Sequence, residues 1–578
     1  MTLILGINAF HADSSACLIK DGEILFAIEE ERINRIKHWS GFPVESIKAC
    51  LEFENIALND IDYITFNINP KFNLKKKILY ILKNFLIAEL FRYFKKKNKN
   101  NIFKDLKKNF EIKDLNKKII FVEHHLSHIS SAYFPSNFQV SDIVSMDGFG
   151  DFTSCALGSA KGNDLKVTKR VNFPHSLGLF YQAMTQHLGF NSYGDEYKVM
   201  GLSAYGKPKY FEDLKKIINV KEDVFELNLK NFTHQNNFSN YVSVDGNIKY
   251  PRIFSSNVVK IIGNQRLQDH KINEHHADLA ASTQKMYEHI LYNTLNQLQK
   301  ITKNENLCFA GGCAMNSKAN GSILENTNYK KIYIPPSPGD SGGSVGSALY
   351  HNSKLKGFNK SKNFYSVYLG PSYDYKYTKE LINTHLKNYE CEILNLNKIE
   401  LADICARKIS EGNVIGWFQS RMEWGPRALG NRSILADPRN KNMKDILNLK
   451  TKKRESFRPF APSILVEEVE NWFEENHQSH FMQNVYKFQK DKVDLIPAVV
   501  HLDFTGRLQT VSRELNPTYY DLIKNFHKIT KIPIILNTSF NENEPIVCNP
   551  LEAINCFKRT KIDILVIDDF YIQRSVKN

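Results

Sequence analysis

The sequence predicts an α/β fold organised in two domains. Apolar runs of strand length alternate with helical patterns along most of the 578 residues, an arrangement typical of α/β proteins. A chain of this length is also too long for one hydrophobic core. The stretch 351–363 is rich in lysine and asparagine and is the best linker candidate. We therefore expect one domain over 1–355 and a second over 364–578.

Three strands are predicted at the start of the first domain. Apolar residues mark Leu3 to Ile7, Ser15 to Lys20 and Glu23 to Glu29. A small polar loop separates the first two strands, and the turn at Asp21-Gly22 separates the second and third. A chain that opens in this way is typical of actin-like, RNase-H-like nucleotide-binding folds.

The remaining elements of the first domain follow the same alternation. The segment KKIIFVEHHLSHISSAYF is predicted to be a short strand that enters a helix, and IVSMDGFGDFTSCALG a strand, a glycine-rich turn and a second strand. A helix is predicted over 274–300, strands over 307–310 and 331–334, and a small-residue helix from Ser344. A second α/β domain, rich in arginine near its beginning, is predicted to fill the rest of the chain.

Positive charge is concentrated in one segment. The formal net charge is +15, and residues 71–108 contain 13 Lys or Arg against two acids, so +11 of it lies there. The rest of the chain is nearly balanced, which argues against a general nucleic-acid surface. We interpret 71–118 as a solvated, basic helical insert. The alternative interpretation is a surface that docks on a membrane or a partner.

Cysteine usage and hydropathy predict a cytoplasmic protein. The nine cysteines are scattered and form no CxxC pair, so neither a disulfide framework nor a zinc ribbon is indicated. The first residues have no basic flank and too short an apolar run for a signal peptide. No stretch reaches the ~20 apolar residues of a membrane helix.

Two histidines and two aspartates are candidates for a metal site. His124 and His128 are four residues apart in a predicted helix, so one helical face presents both. Asp147 and Asp340 lie in glycine-bearing turns, where a carboxylate can stand at a sheet edge. Each pair alone is also explained by capping or turn formation. Together they form a donor set suited to a metal with open positions.

Two loops of the first domain carry further candidates. His11 lies in the first loop and is either a general base or a polar turn residue. Gly311 and Gly312 follow a strand and precede a helical pattern. This spacing allows the backbone to approach a phosphate, although a tight turn alone also explains it.

An arginine-rich cluster distinguishes the second domain. Its charges alternate with Trp, Phe, Gly and Pro, which indicates fixed rather than solvated side chains and favours phosphate binding over surface salt bridges. The residues are Arg421, Arg427, Arg432, Lys452, Arg454, Arg458, Arg507, Asn537, Thr538, Ser539 and Asn541.

Nine long motifs occur in order over almost the whole chain. They are GINAFHADSSACLI, EHHLSHISSAYF, MDGFGD, GDEYKVMGLSAYG, FAGGCAMN, PPSPGDSGGSVGSAL, QSRMEWGPRALGNRSILADPR, FRPFAPS and NTSFN. In these motifs the chain resembles the NodU/TobZ-type O-carbamoyltransferases. The resemblance implies a TsaD-like domain of the actin/hexokinase superfamily, followed by a YrdC-like domain.

The resemblance also implies an activity and its residues. In such enzymes carbamoyl phosphate and ATP give carbamoyl adenylate, and a hydroxyl of a small molecule or saccharide then accepts the carbamoyl group at a metal, Fe(II) or another divalent ion. The implied metal ligands are His124, His128, Asp147 and Asp340, and the implied catalytic residue is His11. The implied nucleotide and carbamoyl-phosphate contacts are Gly311, Gly312, Asn316, Arg427, Arg432, Lys452, Arg454, Arg458, Arg507 and Asn537.

Two other functions are compatible with parts of the sequence. One is a carbamoyl- or threonylcarbamoyltransferase that acts on tRNA or protein, but its basic surface and CxxC fingers are not found. The other is a nucleotide-binding scaffold anchored to a membrane by the insert. We expect no nucleic-acid partner, and a homodimer is the default expectation. The sequence does not specify the acceptor.

Overall fold

The computed structural model describes residues 2–84, 86, 101–111, 118–221, 224–236, 242–244, 246–249, 251–358, 360, 366–452, 458 and 460–575. The chain divides into two compact units, Met1–Tyr365 and Ser366–Asn578. Within the described ranges, no helix combines the length and the apolar character needed to cross a membrane.

The first unit is built on two five-stranded sheets with the same strand order. One sheet runs β3-β2-β1-β4-β5 and the other β14-β13-β6-β7-β8. The strands of the unit are β1 Leu3–Asn8, β2 Ser15–Lys20, β3 Glu23–Glu29, β4 Tyr63–Phe66, β5 Ile119–Phe121, β6 Val140–Gly150, β7 Thr153–Lys161, β8 Asp164–Asn172, β9 Ile218–Lys221, β10 Val224–Leu227, β11 Val242–Val244, β12 Asn247–Lys249, β13 Asn306–Ala310 and β14 Lys331–Tyr333.

Each large sheet consists of an antiparallel meander extended by two parallel strands. In the first sheet β1, β2 and β3 pair antiparallel, whereas β4 joins β1 and β5 joins β4 in parallel. In the second, β6, β7 and β8 form the meander, and β13 and β14 are added in parallel. This duplicated, RNase-H-like topology confirms the predicted actin/hexokinase-type fold class. The three predicted opening strands are confirmed as well.

Helices of the first unit connect and cover these sheets. They are α1 Glu31–Asn34, α2 Val44–Glu54, α3 Leu74–Lys83, α4 Ile102–Asn109, α5 His124–Tyr133, α6 Leu177–His187, α7 Glu196–Leu202, α8 Phe211–Leu214, α9 Ser256–Ile262, α10 Glu274–Thr302, α11 Ser317–Gly321, α12 Ile323–Asn326 and α13 Gly342–Asn352. Helices α5 and α13 pack closely at Gly346, where an added Cβ would lie 1.7 Å from the carbonyl oxygen of Ser127. This contact fixes α5 against α13, just after the loop that carries Asp340.

The basic insert and the predicted linker can both be compared with the structure. Within the insert 71–118, α3 and α4 confirm the helical prediction where the structure describes it, while 85, 87–100 and 112–117 lie outside the described residues. The predicted linker begins inside α13, and Lys360 is only 8% exposed. Its ammonium group donates to the carbonyls of Ser136 at 2.5 Å and Phe138 at 2.7 Å. This part of the stretch is therefore anchored to the first unit.

The second unit contains one nine-stranded mixed sheet of order β15-β23-β22-β16-β17-β21-β18-β20-β19. Its strands are β15 Cys391–Asn395, β16 Ile415–Phe418, β17 Arg432–Ala436, β18 Ala461–Leu465, β19 Asn484–Lys487, β20 Thr505–Val511, β21 Ile534–Ser539, β22 Ile564–Ile567 and β23 Phe570–Arg574. Its helices are α14 Tyr375–Leu386, α15 Lys398–Ser410, α16 Met443–Leu447, α17 Val469–Trp472, α18 Pro517–Thr530 and α19 Pro550–Arg559. The apolar core of the unit forms where these helices cover the sheet, as expected for the predicted YrdC-like α/β domain.

Candidate functional site

Helix α5 presents His124 and His128 on one face. The helix begins at His124 because the Glu123 carboxylate caps it, accepting from the amides of His125 and Leu126. Both histidine side chains are fully buried, and their Nε2 atoms lie 3.1 Å apart. Gly150 makes room for the His124 ring, since an added Cβ would lie 2.0 Å from two ring carbons.

Asp147 and Asp340 converge on this histidine pair. Oδ2 of Asp147 lies 3.0 Å from Nε2 of His124 and 3.1 Å from Nε2 of His128. Asp340 lies two residues before the start of α13. Its Oδ1 is 3.6 Å from Nε2 of His124 and 3.5 Å from Nε2 of His128. The structure thus brings together the four predicted metal-binding residues, from three separate parts of the sequence, with all ligand atoms within 4.8 Å of one another.

The orientation of Asp147 is fixed by backbone groups. Its Oδ1 accepts from the amides of Gly148 at 2.8 Å and Gly312 at 3.1 Å. The other oxygen of the carboxylate is therefore left directed at the histidines. At Gly312 an added Cβ would lie 2.7 Å from the same Oδ1, so a larger residue there would displace the Asp147 carboxylate.

The cluster attracts positive charge. Burial opposes protonation of His128, but the Asp147 and Asp340 carboxylates raise its pKa to about 10. Burial alone would raise the pKa of Asp147, yet hydrogen bonds from both histidines lower it well below its usual range. Two buried carboxylates facing two imidazoles therefore favour positive charge between them, either as protons on the imidazoles or as a bound cation.

A divalent metal fits this demand. Imidazole nitrogen and carboxylate oxygen bind such ions at about 2.0–2.2 Å. Two nitrogens 3.1 Å apart can both lie at that distance from one ion. The separations between Asp340 and the histidines are long for good hydrogen bonds and suit ligands of a shared ion. The donor set is nitrogen and oxygen only, which is compatible with iron or zinc.

His11 lies beside this cluster. Its ring centroid is 5.1 Å from that of His124, with the planes tilted by 32°. The loop between β1 and β2 that carries His11 is held by Asn8, whose amide donates to the carbonyls of Ala12 and Asp13, both at 3.0 Å. The predicted catalytic histidine therefore lies next to the predicted metal-binding residues.

The predicted nucleotide loop also reaches the site. Gly311, at φ +91°, lies so close to β6 that an added Cβ would be 2.1 Å from the Met146 carbonyl oxygen. Asn316 has a different environment, because its side chain caps α11 and exchanges two hydrogen bonds, of 2.9 and 3.1 Å, with Gln284 of α10. Gln284, which the sequence did not point to, also accepts from the Tyr181 hydroxyl.

Asp151 is a second residue missed by sequence reasoning. One of its carboxylate oxygens accepts from the amide of His124 and from the amide of Asn69, each at 2.9 Å. Burial raises the pKa of Asp151 to about 6. The side chain links the start of α5 to the start of the basic insert. The feature of the sequence that could have identified Asp151 is its position at the end of the MDGFGD motif.

The predicted anion-binding residues of the second unit gather at one edge of its sheet. Strand β17 begins at Arg432 and β21 ends at Ser539, which pairs with Ser433. Strand β18 begins at Ala461, which pairs with Asn537. Arg507 lies in β20, two residues before Gln509, which pairs with Ser463 of β18. All four strands therefore bring these residues to the same edge.

Arg432, Lys452 and Asn537 each make several hydrogen bonds within the protein. The fully buried Arg432 donates to the carbonyls of Gln419, Ser420, Asn431 and Pro371, so its terminal nitrogens hold the backbone. The ammonium group of Lys452 donates to Ser539 and Asn541. The Asn537 amide donates to Ala428, Ser463 and Gln509. These contacts indicate that the three side chains shape the edge.

The remaining arginines are more accessible. Arg427, Arg458 and Arg507 are half-buried, and Arg454 lies outside the described residues. The glutamate Glu423, which the sequence did not single out, is only 2% exposed. Its Oε1 accepts from the amides of Leu429 at 2.5 Å and of Asn431 and Arg432 at 3.2 Å. Glu423 therefore fixes the loop that carries Arg427.

Comparisons with known proteins cover both units. Residues 3–349 match the family described as Carbamoyltransferase N-terminus, and residues 406–574 match Carbamoyltransferase C-terminus. An uncharacterized protein, sll1178, of Synechocystis is 37% identical over 619 residues, covering 100% of this chain and 97% of that protein. Nodulation protein NolNO of Sinorhizobium fredii is 37% identical over 575 residues, covering 98% of this chain and 80% of that protein. Another uncharacterized protein, MJ1051 of Methanocaldococcus jannaschii, is 30% identical over 573 residues, covering 99% of this chain and 100% of that protein.

These matches follow the order of the two structural units and agree with the nine motifs. They extend over both candidate sites. The chain therefore belongs to the carbamoyltransferase family and is a transferase enzyme.

Proposed function

We propose that the chain is an O-carbamoyltransferase that uses carbamoyl phosphate and ATP and carbamoylates a hydroxyl of a small molecule or saccharide. The observation that carries this proposal is the convergence of His124, His128, Asp147 and Asp340 in a chain whose two halves match the two carbamoyltransferase family models.

We assign activation to the second unit. Water cleaves carbamoyl phosphate to phosphate and carbamate. A carbamate oxygen then attacks the α-phosphorus of ATP, and pyrophosphate leaves with carbamoyl adenylate as the product. Arg427, Arg458 and Arg507, half-buried among the residues of one sheet edge, suit the recognition of phosphates. Glu423, Arg432, Lys452 and Asn537 keep that edge in shape.

We assign transfer to the first unit. The acceptor oxygen attacks the carbamoyl carbon, the bond from that carbon to the AMP oxygen breaks, and His11 takes the hydroxyl proton. A divalent metal held by the two histidines and two aspartates would supply positive charge to polarise the carbamoyl oxygen. The backbone amides of Gly148 and Gly312 hold Asp147 in place for this task.

Separation of the two steps between two units provides the test. In His128→Ala, pyrophosphate release in the presence of carbamoyl phosphate should persist, while transfer of labelled carbamoyl to a panel of mono- and disaccharides should disappear. In Arg507→Ala, pyrophosphate release itself should fall. Equal loss of both readouts in folded His128→Ala protein would count against the division of labour.

The tRNA alternative receives little support. Of the formal charge of +15, +11 lies in residues 71–108, whereas tRNA binding calls for a wider basic surface. The scaffold alternative conflicts with the family, whose members are enzymes. Fe(II) is our proposed metal, ATP the co-substrate, and a cytoplasmic homodimer our working assumption.

A further inference from the structure

Helix α3 exposes an apolar surface to solvent. Leu74 and Ile78 are each 39% exposed, Leu79 is 66% exposed and Leu82 is 56% exposed. At about 100° per residue, these four side chains occupy a single arc of roughly 140°. Exposed leucines gathered in this way on a short helix are uncommon and mark interaction sites.

Lysines lie within and beside this arc. Lys75 falls inside it, Lys83 and Lys76 lie about 40° and 60° beyond it, and all three are exposed. The surrounding sequence reinforces the charge, with 13 basic residues against two acids over 71–108. Apolar side chains flanked by lysines are the pattern of helices that lie in the interface of a membrane.

We propose that α3 docks the enzyme on an anionic lipid surface. Leu74, Ile78, Leu79 and Leu82 enter the boundary between headgroups and acyl chains, and the lysines contact the negative headgroups. Charge decides between a membrane and an apolar protein partner or a second copy of this chain. A copy would bring a second segment of the same net positive charge against the first, whereas anionic lipid is complementary to it.

The opposite face of α3 is fixed to the body of the first unit. Ile81 is buried, and the Tyr80 ring packs at 5.8 Å from Phe152 and 5.1 Å from Phe173. Just before the helix, the Asn73 amide donates to the Asp151 carbonyl at 3.3 Å and the Thr153 hydroxyl at 3.0 Å. The exposed face is therefore presented by an anchored helix.

This anchor lies next to the metal-binding residues. Asp151 accepts from the amides of both Asn69 and His124 with the same oxygen. Asp151 thus contacts both the segment that leads into α3 and the backbone of His124, a proposed metal ligand. Docking through α3 would hold the transfer site near the lipid surface.

The test is co-sedimentation of the full-length protein with vesicles. Phosphatidylcholine vesicles that contain a minority of phosphatidylglycerol should bind the protein, and pure phosphatidylcholine vesicles should bind it far less. Raising NaCl from about 0.1 M to about 0.5 M should weaken the binding, because salt screens the lysines. Neither ATP nor carbamoyl phosphate is needed, so failure here leaves the proposed activity untouched.

Variants of exposed residues give the decisive comparison. Leu79→Ser/Leu82→Ser and Lys75→Glu/Lys76→Glu should each weaken vesicle binding by roughly tenfold or more. The matched controls are Ile301→Ser/Ile399→Ser, at positions 75% and 79% exposed, and Lys376→Glu/Lys379→Glu on α14. They should bind as the parent does.

Three outcomes would overturn the proposal. They are no binding of the parent to phosphatidylglycerol vesicles, equal binding by the α3 variants, and a dimer that the α3 variants dissociate while vesicles are ignored. The last outcome would assign the face to a second copy. Unchanged thermal unfolding of all four variants would establish that folding does not account for the result.

Discussion

His124 and His128 hold their Nε2 atoms 3.1 Å apart, one helical turn from each other and both facing the same oxygen of Asp147. Two neutral rings can share one Nε2–H at this distance, whereas two imidazolium ions would repel each other. We propose that a shared cation lies between these rings and the Asp147 carboxylate.

Metal content should depend on this pair. Purified protein should contain about one equivalent of divalent metal, and His128→Ala less than about a tenth of that. Mutating a residue that only hydrogen-bonds to a metal ligand typically lowers metal affinity by about 10–100-fold, and removing a ligand itself should lower it further. Metal analysis by mass spectrometry measures this. His270→Ala, at an exposed histidine, should keep the full equivalent. Equal content in both variants would contradict the assignment.

Gly311 and Gly263 form a matched pair for stability. Their backbones are alike, at φ +91° and ψ 164° against φ +89° and ψ −175°, so alanine pays a similar conformational cost of about 1–3 kcal/mol at each. Only at Gly311 would the new Cβ also meet a backbone oxygen, at 2.1 Å, whereas at Gly263 the nearest atom is 3.4 Å away.

Gly311→Ala should therefore be the more destabilising change, by about 2 kcal/mol or more. Thermal unfolding of the first unit, followed beside the parent, gives the difference. Similar losses in the two variants would mean that the loop moves freely away from β6.

The ion pair between His38 and Asp13 should make stability depend on pH. Nδ1 of His38 lies 2.7 Å from Oδ1 of Asp13, and the His38 amide donates to Glu31. Burial opposes the charged imidazole, but Asp13 and Glu31 raise the pKa of His38 from 6.5 to about 9.

A pKa raised on folding means that the folded state binds the proton more tightly. The stabilisation is fully present below pH 6.5 and is lost as the pH rises through about 9. The difference in Tm between the parent and His38→Gln should shrink over that window. Asp13→Asn should act the same way, and the double variant should add little. A difference in Tm that does not change with pH would contradict stabilisation by the His38–Asp13 ion pair.

Glu423 should control substrate binding in the second unit. Glu423→Gln removes the charge that holds three backbone amides, and hydrogen bonds to charged groups are worth about 1.5–3 kcal/mol. We expect the KM for ATP or carbamoyl phosphate in pyrophosphate release to rise roughly tenfold as the Arg427 loop shifts. Glu411→Gln, at a surface partner of Lys408, is the control. A fall in kcat with unchanged KM would argue against this positioning role.

Local patterns in the sequence were sufficient for much of the fold. The strands β1 to β3 follow from apolar runs broken by a polar loop and by Asp21-Gly22, and α10 follows from its helical periodicity. Composition does not reveal that Lys360, within the predicted linker, is buried and that its ammonium group donates to two carbonyls.

The candidate site was predictable where chemistry dictates residue type. His124, His128, Asp147 and Asp340 stand out as metal donors even when far apart in sequence. Asp151, Gln284 and Glu423 act by orienting other groups, and only the tertiary structure shows which amides they meet. Arg432 has the residue type of an anion ligand, yet four carbonyls surround its guanidinium.

The most direct measurement of the central claim is pyrophosphate release from ATP by the purified full-length chain, under anaerobic conditions with Fe(II), with and without carbamoyl phosphate. The account predicts release that requires carbamoyl phosphate. Release from well-folded protein that carbamoyl phosphate does not increase would contradict it and would point to a different carbamoyl donor.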